Sequence, residues 1–192
     1  MTTNLFKIGG FRNPDSISPS GEIQHFYLDT FETERTTGPA RLRIGASGNP
    51  IATVAALSNL LSSPFFILLV LHTTRCGNRL ARYQSPPLER IELDDFLAQF
   101  ADFLSRDARH DFWLHSPNDD STIVLDRHNL ILAYGPLDEF RRTLEERALH
   151  EGPVKFPVPH SHHYHQEFDE WERQIVKHFE WKLTPLRPDD EQ

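Results

Sequence analysis

Phe65-Phe66-Ile67-Leu68-Leu69-Val70-Leu71 is a run of seven residues without a polar side chain, bounded by Pro64 and by His72-Thr73-Thr74. Seven residues are too few for a buried helix between such borders and far too few to cross a bilayer. An apolar run that does not alternate predicts a strand in the interior of a sheet, covered on both faces. That reading fixes a sheet at the centre of the fold, and the flanking segments are then assigned around it.

Downstream, residues 74–87 form a basic connection containing Gly and Pro. Leu93, Phe96, Leu97, Phe100, Phe103 and Leu104 follow at spacings of three and four, the stripe of an amphipathic helix. Three short strands are expected at residues 111–115, 122–125 and 130–134. Pro117-Asn118-Asp119-Asp120 and Asp126-Arg127-His128-Asn129 supply turn chemistry between them. Gly135-Pro136 opens a helix with Leu137, Phe140, Leu144 and Ala148 on one face. A final helix buries Phe168, Trp171, Ile175 and Phe179, and Trp181-Lys182-Leu183 reads as a last strand.

Upstream, Asn49-Pro50 pairs a good N-cap with a residue preorganised for the first helical position, so a helix with Ile51, Val54, Ala55, Ser58 and Leu61 on one face is expected. Residues 23–29 and 41–44 alternate polar and apolar as strands, the second at a sheet edge, with a Thr- and Glu-rich loop between them. The whole is an α+β fold: a single domain with a mixed, largely antiparallel sheet of about five to six strands and about four helices packed on it. Residues 1–20, rich in Asn, Pro, Ser and Gly, read as a flexible N-terminal arm, residues 21–184 as the globular domain and residues 185–192 as an acidic tail.

The 192-residue chain carries one cysteine and a formal charge of −8. A single Cys gives no disulfide framework, and the N-terminus lacks a secretory leader, so a cytoplasmic location is expected. The acidity argues against nucleic acid and in favour of a partner protein with a basic surface, the shortness of the longest apolar run argues against a membrane, and a homo-oligomer stays open. No complete catalytic motif is present. Gly45-Ala46-Ser47-Gly48-Asn49 lacks the last glycine of a nucleophile elbow, and Cys76 is solitary, although Arg75 and Arg79 would favour its thiolate.

The chemistry worth weighing is the run His160, His162, His163 and His165. Imidazole ligates zinc and other divalent transition metals. With Ser161 as N-cap of the last helix, His162 and His165 would share a face, and His163 would lie one turn from Glu167. His115, Asp126 and His128 are further candidates, as co-ligands or as the groups that orient ligands. No metal is required for a chain this long to fold. The preferred function is therefore a non-enzymatic protein-interaction module, and the alternative is a metal-binding protein or metal-assisted hydrolase using the histidine run. In size and charge alone the chain is similar to the small acidic immunity proteins of bacteria, and no residue motif carries that likeness.

Eleven histidines could move the formal charge from −8 to +3 on full protonation. Electrophoretic mobility should fall steeply between pH 7.5 and 5, with a solubility minimum below neutrality. Flat mobility over that range is the contrary result.

Overall fold

The structure is a computed structural model that describes residues 5–11 and 22–191. Its central element is an antiparallel ladder in which β5 (Phe66–Leu71) lies between β6 (Ala81–Gln84) and β7 (His110–Ser116). β8 (Ser121–Leu125) and β9 (Ile131–Tyr134) continue it by successive hairpins, and β4 (Arg41–Gly45) and β3 (Thr30–Glu34) extend it beyond β9. The short β10 (His150–Glu151) and β12 (Lys182–Thr184) close the two edges of a nine-stranded sheet. Among the described residues only the β10–β3 pair is parallel. A second, three-stranded sheet sets β1 (Ile8–Phe11) between β2 (Glu22–Gln24) and β11 (His160–His162).

Four helices, α1 (Pro50–Ser58), α2 (Arg90–Arg106), α3 (Leu137–Glu146) and α4 (Asp169–His178), share one core with the inward residues of the large sheet. α1 starts where the sequence says it should, with Asn49 Oδ1 accepting the Ile51 N–H at 3.0 Å. The α2 stripe is fully buried, each large apolar side chain contributing about 1.5–3 kcal/mol relative to exposure. Phe96 stacks on Phe179 at 5.5 Å between centroids, which docks the end of α4 on α2. No helix among the described residues is long and apolar enough to cross a membrane.

The mixed α/β character and the four helices match the sequence reading, but the sheet does not have five to six strands: there are nine, with three more in a separate sheet. β3 lies in the stretch read as a loop. It is legible only once paired, because Phe31 alone points inward while Glu32 and Glu34 meet Arg43 and Arg41 of β4. Of the strand expected over 23–29, only Glu22–Gln24 forms, and Phe26 and Leu28 are exposed. β4 is not an edge but lies between β3 and β9, with Leu42 and Ile44 buried. β6 arises within the expected basic connection. β5 is interior as expected, yet Phe66 and Leu68 are only half-buried, because the helices cover the opposite face. The expected arm over 1–20 lies mostly outside the described residues, and its described part, 5–11, contains β1. In the acidic tail, Asp190 pairs with Arg82.

Arg109 sits between α2 and β7 with no exposed side-chain surface. Its Nε and Nη2 donate to the two carboxylate oxygens of Asp107 at 2.7 and 2.9 Å. Nη1 reaches Asp169 and the fully buried Glu172, and Nη2 also donates to the His165 carbonyl at 2.8 Å. Thr74 and Asn78 complete the coordination of Glu172. Replacing Arg109 by Met strands two buried carboxylates and should cost about 3–5 kcal/mol in urea denaturation. A loss below about 1 kcal/mol would mean that the carboxylates find other partners.

Candidate metal centre

The turn between β8 and β9 is built around Asp126. Its Oδ1 accepts the N–H groups of His128 and Leu130 at 2.8 Å each, and its backbone carbonyl accepts that of Asn129 at 3.0 Å. Asn129 takes the left-handed conformation (φ 58°), which Asn tolerates better than most residues. The second carboxylate oxygen, Oδ2, meets His128 Nδ1 at 2.9 Å. This contact fixes the ring and leaves Nε2 as the nitrogen available to a ligand. A carboxylate behind an imidazole is the usual support of a metal-bound histidine.

The histidine run does not enter the last helix, and Ser161 is not its N-cap. Residues 160–162 form β11, which pairs with β1 in the register Ile8↔His162, Gly9↔Ser161 and Gly10↔His160. Two tertiary contacts fix the segment beyond the strand: His163 N–H donates to the Lys7 carbonyl, and Ala108 N–H donates to the His163 carbonyl, each at 3.0 Å. The proline-spaced stretch before it also favours extended backbone. The last helix begins only at Asp169, after a single 3-10 turn at Gln166–Phe168.

Strand geometry changes which histidines can cooperate, because alternate side chains point to opposite faces. His160 and His162 share one face. Ser161 and His163 take the other, where His163 Nε2 meets Glu22 Oε1 at 2.7 Å and Ser161 also bonds Glu22. A Cβ on Gly9 would collide with Glu22 and Ser161, so the glycine is what lets this polar group converge.

On the first face the His128 ring meets those of His160 and His162, with centroids 5.2 and 4.8 Å away, and His160 and His162 are 5.1 Å apart. One ring nitrogen from each of the three lies within 4.8 Å of the others. Phe156 packs edge-on against His128 and His160 at 4.8 and 4.6 Å. His162 Nε2 is buried and has no hydrogen-bond partner. Burial, followed by the neighbouring His128 and His160, pushes the His162 pKa down to about 4. His160 is lowered by burial and then by His128, against the opposing carbonyl of Pro157. These two imidazoles are therefore neutral at pH 7, the form that binds metal.

The remaining candidates go elsewhere. His165 Nε2 is bonded to the Phe6 carbonyl at 2.8 Å, and Glu167 is exposed in the 3-10 turn. His115 lies opposite Thr122, about 10 Å along the strand from Leu125, and its Nδ1 is held by the Ser121 carbonyl at 3.0 Å. Ser47 is engaged by Asp29. The Cys76 thiol is raised, not lowered: burial dominates, followed by Glu172 and Asp169. Sequence reasoning missed Lys7, which is buried at 1% exposure. Its ammonium donates to the Leu104 and Asp126 carbonyls at 3.0 and 2.9 Å, and burial lowers its pKa to about 8.

Lys7 ties β1 to the turn that carries His128. Lys7→Met should leave two buried carbonyls short of a donor, at a cost of about 1–3 kcal/mol. Hydrogen exchange at the β1 amides should accelerate more than exchange in β7. Equal acceleration in both would show that Lys7 acts on the whole fold and not on this junction.

Comparison with protein-family models, with curated proteins and with solved structures gives no match, so the chemistry of this centre has to be read from its own geometry.

Proposed function

We propose that this protein binds a transition metal, with zinc best suited to the donors, through His128, His160 and His162. The carrying observation is that one ring nitrogen from each of three imidazoles lies within 4.8 Å of the others, and that His162 also has a buried, partnerless Nε2. Zinc–nitrogen bonds of about 2.0–2.1 Å place tetrahedral donors about 3.4 Å apart, so the rings need to close by roughly an ångström or a little more. Rotation about the side-chain torsions supplies that movement. Asp126 fixes His128 from behind, and an all-nitrogen set suits zinc, copper or nickel over calcium or magnesium.

Three protein ligands leave a fourth coordination position, as in zinc sites that bind and activate water. The ligands come from two sheets: His128 from a turn of the large one, His160 and His162 from the small one. A bound ion would therefore cross-link the two sheets and stabilise the fold by mass action.

Calorimetric titration of tag-free, chelator-treated protein with zinc should give one stoichiometric, submicromolar site. The site should be lost in His128→Ala, His160→Ala and His162→Ala, and retained in His163→Ala and His165→Ala. At free zinc of about a hundred times Kd, stability should rise by about 2.7 kcal/mol. Binding that survives in the triple variant, or is lost equally in His163→Ala, would overturn this assignment.

A further inference from the structure

The face of the large sheet opposite the helices is only partly covered. Across the strands, Leu68, Trp113, Val124 and Leu132 follow one another in register, with Arg43 beyond them. Val124 is buried, while Leu68, Trp113 and Leu132 are half-buried. Two hollows open on this face, of about 670 and 420 Å³, and Trp113 and Thr122 line both of them. The larger is walled by Tyr134, Leu137 and Pro39, and Asp119 and Asp120 of the β7–β8 turn stand at its rim. Nothing in this group takes part in the histidine centre.

The charges around the larger hollow are unequal. Arg43 is already matched by Glu32, and Arg41 by Glu34 and by Tyr134, to whose hydroxyl it donates and over whose ring its guanidinium lies at 5.5 Å. The Asp119 carboxylate is held below its ordinary range chiefly by the Ser62 N–H and then by the Ser116 hydroxyl, so it remains ionised. Asp120 is exposed. The hollow therefore sets an indole ring beside two carboxylates, in a chain of net charge −8. An arginine or lysine side chain meets these requirements: its stem covers the indole, its charge is attracted to the aromatic face, and its N–H groups reach carboxylate. An acidic segment is repelled, and a purely apolar one makes no use of the negative charge at the rim.

We propose that this face docks a basic segment of a partner protein, with an arginine or lysine seated against Trp113 beside the Asp119–Asp120 turn. The segment lies along the two hollows, which share Trp113 and Thr122, and its specificity comes from the charge at the rim. The site stands independently of metal binding.

The test is calorimetry at 0.15 M salt with two octapeptides, four Gly-Arg repeats and four Gly-Glu repeats. The arginine peptide should bind with 1:1 stoichiometry and the glutamate peptide should not. Affinity should fall about fivefold or more in each of Trp113→Leu and Asp120→Asn. Asp120 has φ 47°, a conformation that Asn accepts, so that variant should fold even if the Trp113 variant does not. His160→Ala should bind the peptide unchanged. No binding of the arginine peptide overturns the proposal, as does binding that both variants retain, which would reflect general attraction to an acidic chain. Concentration-dependent dimerisation abolished by Trp113→Leu would assign the face to a second copy instead.

Discussion

Arg109 carries a permanent positive charge into a place that water does not reach, and the chain surrounds it with three carboxylates and a carbonyl. A charge so placed is tolerated only where its hydrogen bonds are made, because desolvation there costs several kcal/mol per ion. The partners come from distant parts of the chain. Asp107 follows α2, Asp169 and Glu172 belong to α4, and Thr74 and Asn78 support Glu172 from the loop after β5. Satisfying one guanidinium therefore fixes how the last helix sits against the sheet. The same network reaches the histidine segment, for Asp107 Oδ2 accepts the His165 N–H at 2.8 Å and Arg109 donates to the His165 carbonyl.

The candidate metal centre depends on that anchoring. With the backbone at His165 held by Arg109 and Asp107, and that at His163 by Ala108 and Lys7, residues 160–162 can only run back along β1. The small sheet is held to the large one through polar contacts of Lys7 as well as by apolar burial of Ile8. His128 meets His160 and His162 across this junction. Burial that keeps imidazoles neutral also changes the expected response to acid. His110, His25 and His178 are lowered by burial as well, so the charge swing suggested by eleven histidines extends to lower pH than their ordinary value implies. In the unfolded chain these groups take up protons near their normal pKa. Stability should therefore decline as pH falls below about 6.5, where the unfolded state binds more protons than the native one.

The two faces of the large sheet show one constraint in two forms. The inner residues of β5, β7, β8 and β9 join the helices in a single core, and the other face keeps an apolar stripe with charged residues at its margins. The expectation that β5 would be covered on both sides was an inference from composition. Phe66 and Leu68 satisfy the composition without the cover, and they lie on the same sheet face as Trp113.

Local signals were legible in the sequence where local physics decides. The periodic stripe of α2, the Asn49-Pro50 start of α1 and the turn around Asp126 are interactions between residues a few positions apart, and they formed as read. The sequence draws notice to the histidine run, with His128 and Asp126 beside it, but its spacing suggests a helical arrangement. Helix would have paired His162 with His165; strand pairs it with His160 and turns His163 toward Glu22. Nothing between positions 160 and 165 settles that choice, because the edge of β1 and the Lys7, Ala108 and Arg109 contacts that settle it are remote in sequence. β3, with a single inward residue, likewise becomes a strand only beside β4. What the sequence determined alone was the periodicity and the turns. Which donors meet was decided by tertiary contacts, because strand register and the partners of a buried charge are set by residues that local pattern cannot see.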